Sequence, residues 1–562
     1  METFSSPKNQ SWLPWFLRGL TALGFLILAG RLIDLTVVRG EYFRALSEGN
    51  RVRRVAIAAP RGRILARGGE TLVGNREVKK KVIFDIREGY KKVEAGYQTV
   101  PGESETTITE YERDYILGEA FAHVSGYLGE VTIEELGKVR ADCPEKGPRK
   151  LGGLVGRGGL EEEYDCILSG IDGELLIEVD SQGMAVRVLG EKEVTPGGDL
   201  ATNINYGLQK KISEIINSQF PLSEKKAAVV VTDGTGQILG LYSSPSFDPN
   251  IFISKEDEAI SQILKGKNDP LLNRAISGRF HPGSTFKPIV AIAALEEGAI
   301  DEKFKYEDPG VISINTPWGN FSYSNWYFNQ YGRREGEIDL TRAITRSTDT
   351  FFYKIGELTG IENIAKWANI FGLDKKTGID LPGENAGFIP SPVWKERTSG
   401  ERWFLGNTYH VSIGQGDVAV TPLALNTAIG TIANDGIYCS SYLAERGSGN
   451  SKFQMTNDEC VNLEIKKENI DLVKEGMRGA CSAGGTGFTF FDFKDKTGLD
   501  VACKTGTAET ERGEPHAWFV AFAPFYSPEI IATVLIEEGG EGSRAAGPVA
   551  REIFDYWFEV KK

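Results

Sequence analysis

Residues Phe280–Val290 read FHPGSTFKPIV, and this stretch decides how the rest of the chain is read. Ser284 and Lys287 stand three positions apart, a spacing that puts both side chains on one face of a helix. A serine hydroxyl is a weak nucleophile until a neighbouring base takes its proton. A lysine serves as that base only when burial and neighbours hold it neutral. The apolar run Ile289–Leu295 predicts a buried helix. Pro282-Gly283 marks its start, so Ser284 falls at a helix N-terminus, where free N–H groups favour developing negative charge. The spacing alone is common. Ser5/Lys8 and Ser223/Lys226 share it without the Pro-Gly start or the buried helix, and a solvent-exposed surface pair is the ordinary reading of any one Ser-x-x-Lys.

Two further elements follow in order. Ser347-Thr348-Asp349 lies in LTRAITRSTDTFFYKIG, where the plain reading is a polar helix cap. Lys-Thr-Gly occurs at Lys376, Lys496 and Lys504. The first falls in a loop and the second in a turn. The third, in DVACKTGTAET, falls in a strand that leads three strand-like runs, Leu499–Thr510, Ala517–Ala523 and Ile530–Glu537, whose short connectors predict an antiparallel meander. Alternation places Lys504 and Gly506 on one face of that strand and Thr505 and Thr507 on the other. On an edge strand Gly506 would let a substrate backbone approach closely, and the strand could pair with an extended peptide.

The ordered set Ser-x-x-Lys, Ser-x-Asp and Lys-Thr-Gly-Thr is far more specific than its parts. With APRGRI at Ala59–Ile64, TGIDLPGE at Thr377–Glu384 and SIGQGDVAVTPL at Ser412–Leu423, the chain resembles the class B penicillin-binding proteins, which are monofunctional peptidoglycan D,D-transpeptidases. One departure stands out: the middle motif ends in Asp349 where most of that family has Asn. STDTFFY, and NTPWGNFSYSNW at Asn315–Trp326, are similar to the elongation-type penicillin-binding protein 2 branch, which is favoured over the division-type branch.

The resemblance implies an α/β transpeptidase domain of the penicillin-binding/β-lactamase type, an antiparallel sheet flanked by helices with a helical lobe. A β-rich elongated pedestal and one N-terminal transmembrane helix precede it. It implies that Ser284 attacks the penultimate D-Ala carbonyl of a stem peptide, that Lys287 takes the serine proton, and that Ser347 relays a proton to the leaving amine. Lys504 then lowers the local pKa electrostatically, Thr505 and Thr507 hold the substrate carboxylate, and the backbone N–H groups of Ser284 and Thr507 form the oxyanion hole. Asp349 lacks the amide donor of Asn, so a substrate carbonyl that an Asn would bind needs another donor. β-Lactams, which resemble D-Ala-D-Ala, are expected to trap Ser284. A D,D-carboxypeptidase, a β-lactamase or a penicillin-binding sensor shares these motifs. The module before the catalytic domain and an uncleaved anchor favour the transpeptidase.

The chain has 562 residues, 41% hydrophobic and 25% charged, which excludes a mostly disordered protein. The net charge of -14 argues against sequence-independent nucleic-acid binding. Ser11–Val38 is apolar enough to span a bilayer, and an uncleaved anchor is favoured over a signal peptide or a buried soluble helix. The arginines that follow it, from Arg39 to Arg67, oppose an extracytoplasmic body by the positive-inside rule; the catalytic motifs set that orientation instead. The expected division is a cytoplasmic tail 1–11, an anchor 12–38, a pedestal 39–205 and a transpeptidase domain 206–562. Within the pedestal, Glu174–Val188 reads as a hairpin turning at Gln182-Gly183. That division leaves no room for a glycosyltransferase domain of about 200 residues. The resemblance supplies the polymerase as a partner, an integral-membrane glycosyltransferase of the shape, elongation, division and sporulation type.

Six cysteines, with no C-x-x-C pair, are compatible with three disulfides or with buried thiols. Neighbour pairing would give Cys143–Cys166, Cys439–Cys460 and Cys481–Cys503, one of fifteen possibilities. No histidine pair has ligand spacing, so no metal or cofactor is implied, and His281 reads as a packing or cap residue.

Overall fold

The computed structural model describes residues 12–85, 89–94, 106–180, 184–219, 226–266, 268–317, 319–445, 460–511 and 513–560. The tail 1–11 and the Gln182-Gly183 turn lie outside them. The chain divides into two compact units. One draws on Met1–Pro60, Glu77–Tyr111 and Ile171–Pro196; the other draws on Arg61–Arg76, Glu112–Gly170 and Gly197–Lys562.

In the first unit, Leu13–Ile33 is helical and runs on through a π-helical turn at Asp34–Val38. The 26 residues Leu13–Val38 are long and apolar enough to cross a membrane. Asp34 sits between two arginines, ion-paired with Arg31 and Arg39. Strands Val52–Ile57, Gly173–Val179 and Ala185–Lys192 form an antiparallel sheet. Gly173–Val179 alternates buried and half-buried positions, and Val55, Ile57, Val82, Ile108, Leu175, Ile177 and Val179 make a small apolar core.

The second unit holds two larger cores on the two faces of one five-stranded sheet. Its strands, in spatial order, are Ile238–Ser244, Ala227–Thr232, Ile530–Ile536, His516–Ala523 and Ala502–Ala508. All neighbouring pairs are antiparallel. The three C-terminal runs therefore form the expected meander, with Ala502–Ala508 at the sheet edge. The central strands are buried along their whole length apart from half-buried His516, which explains why they read as continuous apolar runs. Helices Tyr206–Gln219 and Gly542–Val560 cover one face. On the other, Lys287–Glu296 and Pro422–Ala433 belong to a helical lobe with Asp349–Thr359, Ile361–Ile370 and Lys467–Ala480.

The stretch 39–205, expected as one module, is shared between the two units. The reason is a buried ionic cluster and a set of long-range hydrogen bonds. Arg61 and Arg113 pair with Glu161, and Arg61 also pairs with Asp165. Tyr164 Oη donates to Asp380 Oδ2 at 2.7 Å, and Gln209 Nε2 donates to Ala120 O at 2.6 Å, tying 112–170 to the rest of the second unit. Such charges are costly to bury unless matched, and the APRGRI arginines meet their partners only in this packing. All three neighbour-paired disulfides are formed.

Candidate active site

Gly283–Phe286 forms one turn of 3₁₀ helix, and the α-helix begins only at Lys287. Ser284 therefore precedes the helix instead of starting it. Glycines make this arrangement possible. Gly283 has φ +54°, and a Cβ there would lie 2.8 Å from Thr507 O. Gly414, at φ +71°, would place a Cβ 2.2 Å from Gly283 O, and Gly283 N–H donates to Gly414 O at 2.9 Å. A Cβ on Gly506 would meet Thr285 Cγ2 at 2.9 Å and Pro282 O at 3.0 Å. At Gly506 the close approach is made by the protein's own Pro282–Thr285 turn. Trp518 Nε1 donates to His281 O at 2.9 Å beneath it, and His281 Nδ1 is bonded to Val418 O.

Leu340–Leu358 reads in the sequence as one helix, but the structure breaks it. Leu340–Arg346 ends at Ser347, whose φ of +57° is left-handed, and Asp349–Thr359 starts anew with Thr348 as its N-cap. The break turns the Ser347 hydroxyl toward both lysines. Lys287 Nζ lies 3.1 Å and Lys504 Nζ 2.8 Å from Ser347 Oγ. Lys287 also donates to Ser347 O at 2.9 Å and to Asp349 Oδ1 at 2.7 Å. Both lysines are fully buried. Burial pulls the Lys287 pKa down while Asp349 opposes the fall. Burial and the neighbouring Lys287 pull Lys504 well down.

The structure thus joins Lys287, Ser347, Asp349 and Lys504 in one hydrogen-bonded cluster. Among the described residues, Ser284 Oγ forms no hydrogen bond, so the expected direct link to Lys287 is not made in this state. Thr505 and Thr507 point to the opposite face of their strand from Lys504. Thr505 Oγ1 donates to Thr486 Oγ1 at 2.9 Å, and Thr507 is exposed.

Several positioning residues were not singled out from the sequence. Asn325 Oδ1 accepts from Asp349 N–H at 3.3 Å, and Trp326 N–H donates to Asp349 Oδ2 at 3.0 Å. Asp308, fully buried, anchors Asn325 and Thr350. Gln415 Nε2 donates to Thr507 O at 3.2 Å. For Asn325, Trp326 and Gln415 the available signals are the NTPWGNFSYSNW and SIGQGD stretches; Asp308 lies in neither.

The chain matches the penicillin binding protein transpeptidase domain over residues 226–555 and the penicillin-binding protein dimerisation domain over 87–202. It is 31% identical to peptidoglycan D,D-transpeptidase MrdA of Acinetobacter baumannii, covering 98% of this chain and 88% of that one. Penicillin-binding protein 2 of Pseudomonas aeruginosa, solved in complex with WCK 5153, superposes with a TM-score of 0.71 at 29% identity, over 90% of this chain and 96% of that one. A chain of a solved peptidoglycan synthase complex superposes with a TM-score of 0.72 at 27% identity, over 97% and 98%. The chain belongs to the class B penicillin-binding proteins, in the elongation-type penicillin-binding protein 2 branch.

Proposed function

We propose that this chain cross-links peptidoglycan stem peptides during cell-wall elongation, as a serine D,D-transpeptidase that β-lactams acylate. The observation that carries the site assignment is the convergence of Lys287 and Lys504 on Ser347 Oγ beside the Ser284 turn. Ser284 is the nucleophile. The buried cluster handles its proton, because an unassisted serine is too weakly nucleophilic. The N–H groups of Ser284 and Thr507 meet the oxyanion, commonly a large term in acyl transfer. The hydroxyls of Thr505 and Thr507 bind the terminal carboxylate, and the amine of a second stem peptide resolves the acyl-enzyme.

The helix Leu13–Val38 anchors the chain in the cytoplasmic membrane as a single pass, with the body on the periplasmic side. Peptidoglycan stem peptides lie there, and the three disulfides suit an oxidising compartment. An integral-membrane glycosyltransferase of the elongation machinery supplies the glycan. The related synthase complex, described as coordinating polymerization and crosslinking, supports that pairing. Along the sequence we read 1–11 as the tail, 12–38 as the anchor, 39–205 as the pedestal and 206–562 as the transpeptidase domain, although 61–76 and 112–170 group with the second unit.

Labelling with a fluorescent penicillin tests the assignment. Wild type should form a covalent adduct and Ser284→Ala none; a label retained in Ser284→Ala overturns it. Incubation with lipid-linked precursor and a polymerase should yield cross-linked dimers. Release of D-Ala without dimers would make the chain a carboxypeptidase.

A further inference from the structure

The catalytic cluster holds two buried amines and one carboxylate, and its hydrogen bonds are not symmetric. Lys287 Nζ has three acceptors, Asp349 Oδ1 at 2.7 Å, Ser347 O at 2.9 Å and Ser347 Oγ at 3.1 Å. That is one for each hydrogen of an ammonium. Lys504 Nζ has two partners, Ser347 Oγ at 2.8 Å and Thr505 O at 2.9 Å. If Lys504 were also an ammonium, its third hydrogen and the Ser347 hydroxyl hydrogen would both lack an acceptor among the described residues. A neutral Lys504 receives the Ser347 hydrogen on its lone pair, leaving one unmatched hydrogen instead of two.

Asp349 is built to be an anion. It opens the helix Asp349–Thr359, accepts the Trp326 N–H at 3.0 Å and touches a cation. No carboxylate pairs with Lys504 among the described residues, and the adjacent Lys287 charge opposes a second one. The other groups facing the cluster do not change this count. Phe352 packs its ring 5.2 Å from Lys287 Nζ, and Tyr353, beside Asp349 and Glu509, is pushed above its ordinary pKa by burial and these acids. Arg346 is committed to Glu335 at 2.8 Å, and Asp308 is held by Asn325 and Thr350.

We propose that Asp349 fixes the resting proton inventory of this site, making Lys287 the standing cation and Lys504 the neutral amine that takes the Ser284 proton through Ser347. The proposal rests on Ser284 being the nucleophile. In the first step the Ser284 O–H bond breaks as Oγ bonds to the carbonyl carbon. That proton moves to Ser347 Oγ while the Ser347 proton moves to Lys504 Nζ. The C–N bond then breaks, and the Lys504 proton returns by the same route to the leaving amine. Lys287 never changes charge; it stabilises the charge passing through Ser347. Where Asn replaces Asp349, its amide oxygen could still accept from Lys287, but the negative charge that sets the two lysines apart would be gone.

The test is the pH dependence of β-lactam acylation of the full chain in detergent. γ-Thialysine, isosteric with lysine but with a more acidic ammonium, is incorporated at 287 or at 504. Folding of each variant is checked by its thermal unfolding. With thialysine at 504 the acid limb of the rate profile should move to lower pH; with thialysine at 287 it should stay. In an Asp349→Asn background either replacement should move it. A limb that follows position 287 alone in the Asp349 protein, or follows neither position, overturns the proposal. So does an Asp349→Asn background in which position 287 still has no effect. Ser284→Ala separates the two levels: if it still labels, the nucleophile assignment fails, whereas if it is silent and the limb follows 287, only the proton inventory fails.

Discussion

Asp349 Oδ1 stands 2.7 Å from Lys287 Nζ, and the lysine is closed off from solvent altogether. A buried pair of this kind contributes little over an apolar replacement of both partners, but losing one partner is expensive. Asp349→Ala is therefore expected to cost about 3 kcal/mol at pH 7. Lys287 can shed its proton as the pH rises, so the deficit relative to wild type should shrink toward pH 10. Urea unfolding of both proteins at pH 7 and pH 9.5 measures it.

Lys504 should behave in the opposite way. Its pKa in the fold lies well below the ordinary 10.5, pulled down first by burial and then by Lys287. Below pH 10.5 the unfolded chain binds a proton there that the folded chain resists, so this residue lowers stability, and the loss is relieved as the pH rises. Lys504→Met is expected to abolish rapid penicillin labelling while raising stability at pH 7 by about 1–2 kcal/mol. The gain should narrow at pH 9.5.

Gly414→Ala combines a left-handed φ of +71° with a Cβ only 2.2 Å from Gly283 O. The loop and the nucleophile turn must separate to admit it. A loss of at least about 3 kcal/mol is expected, together with a tenfold or greater fall in the labelling rate. Stopped-flow acylation and thermal unfolding check the two parts.

The Cys481–Cys503 disulfide closes a segment of sequence separation 22 and ends one residue before Lys504. The double variant Cys481→Ala/Cys503→Ala should lose about 3 kcal/mol by chain entropy. Because the strand that carries Lys504 loses its tether to the end of Lys467–Ala480, acylation should slow as well. Unfolding and labelling under non-reducing conditions measure both.

His123 sets an acid limit. Its Nε2 lies 2.8 Å from Pro270 O, and burial, with Arg274 nearby, lowers its pKa from 6.5 to about 4. Between those values the unfolded chain takes up a proton that the folded chain refuses, so stability falls as the pH drops through that window. The loss is roughly 3 kcal/mol once pH is below 4. His123→Gln should flatten this dependence, read by urea unfolding at pH 7.5 and 4.5.

The C-terminal meander was legible because each strand is a full apolar run with a short connector, and the motif order located Ser284, Lys287, Ser347 and Lys504. What the sequence hid depends on packing. Ser347 carries no glycine-like mark for its left-handed backbone; the break follows from where its hydroxyl must sit. Gly414 and Gln415 lie far along the chain from the residues they shape, and Thr486 carries no motif. The sharing of 39–205 between two units depends on Arg61 and Arg113 meeting Glu161, a pairing that linear spacing does not encode.

The three glycines at 283, 414 and 506 also bear on drug escape. Each stands where a first side-chain carbon would collide with the protein's own atoms, so selection under β-lactams has few single steps open at the points nearest the nucleophile. Substitutions that lower drug reactivity while sparing cell-wall synthesis should therefore accumulate at neighbours with room to change, such as half-buried Gln415, leaving the three glycines unaltered.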